Sequence, residues 1–309
     1  MATYLNPKVD LIFKKVFGEH PDLVKSLLNA LLPLPEDMKI DTVEYLTNEN
    51  IPDSPEKKLA IVNVRCKDNH GRYFIVEMQM VWNELFFQRT LFNAATTYSH
   101  QLEKGNPFKK LRDVYALALV NSEAFEYQNQ SGYMQEFYLT NRNYTADVRT
   151  DLSLIFVELK RFKPADKGSR AIKDLWLRFL TEIDEQTEKV DDELLENPDI
   201  NKALDIVKIS AYSEPDLYEY NNFLLDLNGL YHSLVAKEEK GRAEGRAEGR
   251  AEGRAEGRAE GRAEGRAEGR AEGEKSKAIE IARNFKKAGV DINLIAQNTG
   301  LTIDEINNL

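Results

Sequence analysis

The chain has 309 residues, 42% of them hydrophobic, which allows one sizeable packed domain with appendages. With 42 basic against 52 acidic residues the formal charge is −10, which excludes a uniformly basic nucleic-acid coat but not a local basic cleft. A single cysteine, Cys66, excludes an intrachain disulfide, and the absence of a secretory leader or an apolar run longer than Val114–Val120 points to a cytoplasmic protein without membrane contact.

In chain order, Val9–Phe17 predicts a helix, because Val9, Ile12, Phe13, Val16 and Phe17 fall on one face and Gly18 ends it. Pro21–Leu32 reads as a second helix, and residues 84–104 as a third, ending at Gly105. Strands are predicted at 59–67, 72–80, 113–120 and 151–159, with a short edge strand over 131–139. From Ile172 onward the pattern is helical, with breaks near Pro198 and Pro215. This order gives a mixed α/β domain, with the sheet between helices, over residues 1–238.

Residues 239–274 form a second region, containing eight perfect Gly-Arg-Ala-Glu units at 241–272. Glycine at every fourth position costs a helix about 1 kcal/mol each relative to alanine, which favours an extended linker. The alternative is a helical stalk about 48 Å long, with a glycine stripe that lets another chain approach. Residues 275–309 predict a three-helix tail: Ser276–Ala288, Asp291–Asn298, and a third helix capped by Thr302 with Glu305 three residues on. Its Gly-turn resembles a helix-turn-helix, but Ile303–Leu309 carries two acids and no basic residue, which favours a docking module.

The hairpin at 59–80 carries the chemistry. Asn63 interrupts one apolar strand, and Glu77 and Gln79 interrupt the other. Buried polar groups are costly without partners, so these three mark a site. A three-residue loop, Asn69-His70-Gly71, pairs Asp68 with Arg72 and places Asn63 opposite Glu77. Opposed residues have Cβ atoms roughly 4.5–5.5 Å apart, close enough to share one cation. A two-residue loop would turn Glu77 to the other face.

Asn6-Pro-Lys-Val-Asp-Leu-Ile-Phe-Lys-Lys-Val-Phe-Gly18, Phe74-Ile-Val-Glu-Met-Gln79 and the repeat followed by Ile295–Leu309 together resemble the Rpn family of recombination-promoting nucleases and putative transposases, within the PD-(D/E)XK nuclease superfamily. The resemblance covers essentially the whole chain. It implies a restriction-endonuclease-like α/β fold with a mixed sheet flanked by helices, and Mg²⁺-dependent (or Mn²⁺-dependent) hydrolysis of DNA phosphodiesters. Carried over by position, Asn63 stands at the metal-binding aspartate, Glu77 at the second acid and Gln79 at the usual lysine. Asp10 matches an acid of the opening motif. The implied metal ligands are Asn63, Glu77 and the main-chain carbonyl of Met78.

Asparagine at 63 brings an amide oxygen but no charge, which predicts impaired ion binding. Two functions follow. One is a DNA endonuclease tied to recombination, mobile elements or defence against foreign DNA. The other is an inactive DNA-binding or assembly protein on a nuclease fold. Homo-oligomerisation through the repeat and tail is expected in either case. Glu158-Leu-Lys160 also spells acid-x-lysine on a strand, and Arg89 is a candidate phosphate contact, with a solvated helix face as the plainer alternative. The four histidines show no metal-ligand spacing.

Overall fold

The computed structural model describes residues 3–46, 63–103, 105–125, 132–164 and 168–309, with the main chain alone at 63, 84, 234 and 238. The chain divides into two units, residues 1–231 and 232–309.

In the first unit, α1 (Asp10–Phe13) widens into a π-helical turn over Lys14–Gly18. Together they bury Ile12, Phe13, Val16 and Phe17, the apolar face expected for one continuous helix. α2 (Pro21–Leu31) starts with proline in its first turn, where no amide hydrogen is needed, and buries Leu23, Val24, Leu27, Leu28 and Leu31.

The strands are β1 (Val43–Tyr45), β2 (Asn63–Asp68), β3 (Tyr73–Gln79), β4 (Val114–Val120), β5 (Met134–Thr140) and β6 (Val148–Glu158). They form one sheet in the order β1-β2-β3-β4-β6-β5. β3, β4 and β6 run parallel, and the hairpin partners β1–β2, β2–β3 and β5–β6 run antiparallel. All seven residues of β4 are buried, as a central strand covered on both faces requires. β5 is the expected edge strand, and β1 is an addition to the expected sheet. The start of the predicted first hairpin strand, 59–62, lies outside the described residues.

α3 (Glu84–Ser99) connects β3 to β4 and covers one face of the sheet. It ends before the predicted stop at Gly105. The Gln101 side chain accepts from Arg112 N at 2.7 Å and donates to Arg112 O at 2.9 Å, so this stretch pairs with the approach to β4. Ile75, Phe86, Ala94, Ala116, Ala118 and Phe156 fill the space between α3 and the sheet. The opposite face carries the larger core, where Phe74, Val76, Leu117 and Val157 meet α1, α2, α4 (Ile172–Glu182) and α6 (Pro198–Ile206). The short α5 (Asp192–Glu196) lies between the last two in sequence.

α7 (Glu214–Lys287) begins in the first unit and includes the whole repeat, whose residues are exposed and helical throughout. Pro215 therefore opens this helix rather than breaking one. The first predicted tail helix is the end of α7, followed by α8 (Ile292–Thr299) and α9 (Ile303–Asn307). Ala282, Ile295, Leu301 and Ile306 form a small core there. Gly289 and Gly300 take positive φ at the helix ends, and Thr302 with Glu305 makes the predicted capping box.

Candidate active site

The hairpin β2–β3 sets the site. Asp68 N donates to Arg72 O at 3.1 Å, and Gly71 N donates to Asp68 O at 3.0 Å. Gly71 has a φ of 82°, where a side chain would be strained. This closes the odd-length loop and pairs Asn63 with Glu77, Arg65 with Ile75 and Lys67 with Tyr73. By the period of two, positions 63, 65, 75, 77 and 79 share the face beneath α3.

Glu77 is 1% exposed. Its Oε1 accepts from Asn93 Nδ2 at 2.8 Å. Its Oε2 is buried and has no hydrogen-bond partner among the described residues. Burial raises its carboxyl above the ordinary range, while the Asn93 hydrogen bond and the charges of Arg89 and Arg65 act in the opposite sense. Arg89 and Asn93 are four residues apart on α3, and so present one face to the sheet.

Gln79 lies at the end of β3, half-buried. Its Oε1 accepts from Arg89 Nη2 at 3.0 Å, and its Nε2 donates to the Val81 carbonyl at 2.5 Å. Arg89 also places its guanidinium 5.0 Å from the Phe86 ring centroid. Sequence reasoning did not single out Arg65 or Asn93. The signals were present: Arg65 alternates with Asn63 along β2, and Asn93 follows Arg89 by one helical turn.

Asp10, Met78 and Gln79 line a cavity of about 60 Å³, together with Lys8, Asp226 and Leu227. Burial pushes the Asp10 carboxyl up to about 6, Lys14 opposes the shift and Glu219 adds to it. Its Oδ1 is buried without a partner among the described residues. Glu77 is not part of this lining. Gln79 borders this cavity and, through its hydrogen bond with Arg89, the surroundings of Glu77. The Met78 side chain belongs to the core on the other face, which leaves only its main chain as a potential ligand.

Glu158 has another task. Its Oε2 accepts from Ala124 N at 2.7 Å, Phe125 N at 3.2 Å and Arg161 Nε at 3.0 Å, while Lys160 is exposed. It ties the chain after β4 to the end of β6, which accounts for its acid-x-lysine pattern structurally. His70 is a turn residue whose N donates to Asp68 Oδ1 at 3.0 Å.

Among the described residues, no three of histidine, cysteine, aspartate and glutamate gather into a metal-binding group. No helix among them is long and apolar enough to cross a membrane. Comparison with curated proteins and with solved structures gives no match. The sequence model of the PD-(D/E)XK nuclease family transposases does match, over residues 7–225, and the chain belongs to that family.

Proposed function

We propose that this protein is a metal-dependent DNA endonuclease, centred on Glu77, whose activity asparagine at 63 impairs. The observation that carries this reading is Glu77 itself: a carboxylate buried in a sheet, with Oε2 unpartnered, directly across the hairpin from position 63. A buried carboxyl oxygen left without a partner is costly and marks a candidate functional group.

The donor chemistry fits a divalent ion, because Glu77 Oε2 is an orphaned carboxyl oxygen and Asp10 Oδ1 is a second one on the cavity wall. Mg²⁺, or Mn²⁺, would be held by Glu77, the amide oxygen of Asn63 and the main-chain carbonyl of Met78. Such an ion supplies Lewis acidity to a phosphoryl oxygen and a more acidic water. An asparagine amide brings an oxygen without charge, so the ion would be held weakly there. Asn93 fixes the rotamer of Glu77 by bonding its Oε1, which leaves Oε2 for the site. Gln79 keeps a free lone pair on Oε1 that can accept from a water and orient it. Asp10 holds a further water at the cavity.

The test is cleavage of plasmid DNA with Mg²⁺ by the native chain and by Asn63→Asp. The aspartate form nicks or cuts, and the native form is slower by orders of magnitude. Equal inactivity of both, insensitive to EDTA, overturns the reading. A second reading, a non-catalytic DNA-binding or assembly protein, is favoured by the closure of Glu77 beneath α3 and by Asn63. In both readings DNA is the partner, the protein is cytoplasmic, and chains assemble through the helical repeat at 241–272 and the three-helix tail.

A further inference from the structure

We propose that Arg89, together with Arg65, supplies the positive charge that Gln79 lacks and seats a phosphate of the DNA against Glu77. This rests on reading Glu77 as the centre of a phosphodiester site, and it names the residues that receive the substrate there.

The argument starts from charge. Glutamine at 79 can hydrogen bond but offers no cation to a phosphate. Arg89 reaches that position from α3, with Nη2 3.0 Å from Gln79 Oε1, so a guanidinium stands at the glutamine tip. Arg65 stands on β2 two residue pairs along from the Asn63–Glu77 pair, on the same face, and its charge also acts on Glu77. Two cations thus face one carboxylate.

The second observation is unused donors. Arg89 Nε, Arg65 Nε and Arg65 Nη2 are buried without an acceptor among the described residues. Glu77 Oε2 is buried without a donor in the same neighbourhood. These groups are therefore not arranged as a closed ion pair. The fold's structural arginines behave differently. Arg72 bonds Asp68 through Nε at 2.8 Å, Arg178 bonds Glu182 and Asp191, and Arg161 bonds Glu158. Each of those guanidiniums is engaged by a carboxylate. Arg65 and Arg89 instead keep N–H groups for something anionic, and a phosphodiester offers two non-bridging oxygens to a planar fork of donors. Both arginines and Gln79 are half-buried and Glu77 lies deeper, so a phosphate reaches the arginines before Glu77, and the guanidiniums turn outward to present their buried N–H groups to it.

The test is binding of fluorescein-labelled duplex DNA by the full-length chain, followed by anisotropy in EDTA between about 50 and 200 mM salt. Arg89→Met is expected to weaken binding roughly tenfold and to lower the slope of log affinity against log salt by about 1. Arg65→Met should act in the same direction, and Arg89→Lys should keep the slope because it keeps the charge. Arg170→Met, at an exposed arginine paired with Glu196, should match the native chain. Native slopes in folded Arg89→Met and Arg65→Met overturn the proposal. Should Arg89→Met fail to fold, a native slope in Arg65→Met overturns it alone. The assay needs no cleavage, so the two readings fail separately. Native slopes beside a cutting Asn63→Asp remove only the arginine seat. Lowered slopes beside an inactive Asn63→Asp remove only the nuclease.

Discussion

Arg72 grips Asp68 across the hairpin, with Nε 2.8 Å and Nη2 2.6 Å from the same Oδ2 oxygen, and both side chains are almost wholly buried. Asp68 Oδ1 also accepts from the amides of His70 and Arg72 at 3.0 and 2.8 Å, and Arg72 Nη2 donates to the Met38 carbonyl at 2.6 Å. One ion pair thus closes the loop whose length sets Asn63 against Glu77. Removing one partner of a buried pair strands the other, at a cost of about 3–5 kcal/mol. Arg72→Met should therefore lower the melting temperature by roughly 10 °C in a domain of this size. A calorimetric shift under about 2 °C would show that the pair is dispensable.

Asp10 predicts a pH dependence. Its carboxyl is raised from 3.8 to about 6, so the folded state keeps the proton more tightly than the unfolded chain. The stability this contributes is fully present below 3.8 and is lost as pH rises through about 6. Asp10→Asn lacks that titration. Its melting temperature should gain on the native chain as pH rises across that window, and a constant gap would contradict the assignment.

Glu77 separates stability from chemistry. Burial raises its carboxyl, so ionisation costs stability at any pH above its ordinary range. Glu77→Gln keeps an oxygen for Asn93 to donate to and removes the buried charge. It should raise the melting temperature at neutral pH by about 2–4 °C and abolish Mg²⁺-dependent cutting in the Asn63→Asp background. A fall of several degrees would mark Glu77 as a structural anion held by its arginines.

The repeat gives a prediction about assembly. Residues 241–272 are helical, exposed, and carry glycine at every fourth position. If chains associate along that stripe, deleting the eight units should lower the mass measured by light scattering. An unchanged mass would leave the repeat without a role in assembly.

The hairpin was legible because side-chain alternation and an odd loop leave one register that buries the apolar residues. The helical faces of residues 9–17 and of α2 were legible for the same kind of reason. β1 was not, because three residues, Val43-Glu44-Tyr45, carry too little alternation to signal a strand. The early end of α3 depends on Gln101 meeting Arg112, a contact between separate segments that no local pattern encodes. Within the site, Glu77 and Gln79 stood out as polar breaks in an apolar strand. Asn93 and Arg65 carry no such mark in the sequence, since their meaning comes from facing Glu77. Glu158 shows the converse, for its spelling suggests chemistry while its neighbours make it a strap.

The register at position 63 has an evolutionary consequence. One base in a codon separates asparagine from aspartate, and the main chain there already lies opposite Glu77. On the proposed reading, a lineage carrying this gene can fall silent and be rearmed by a single point mutation, with no refolding on the way.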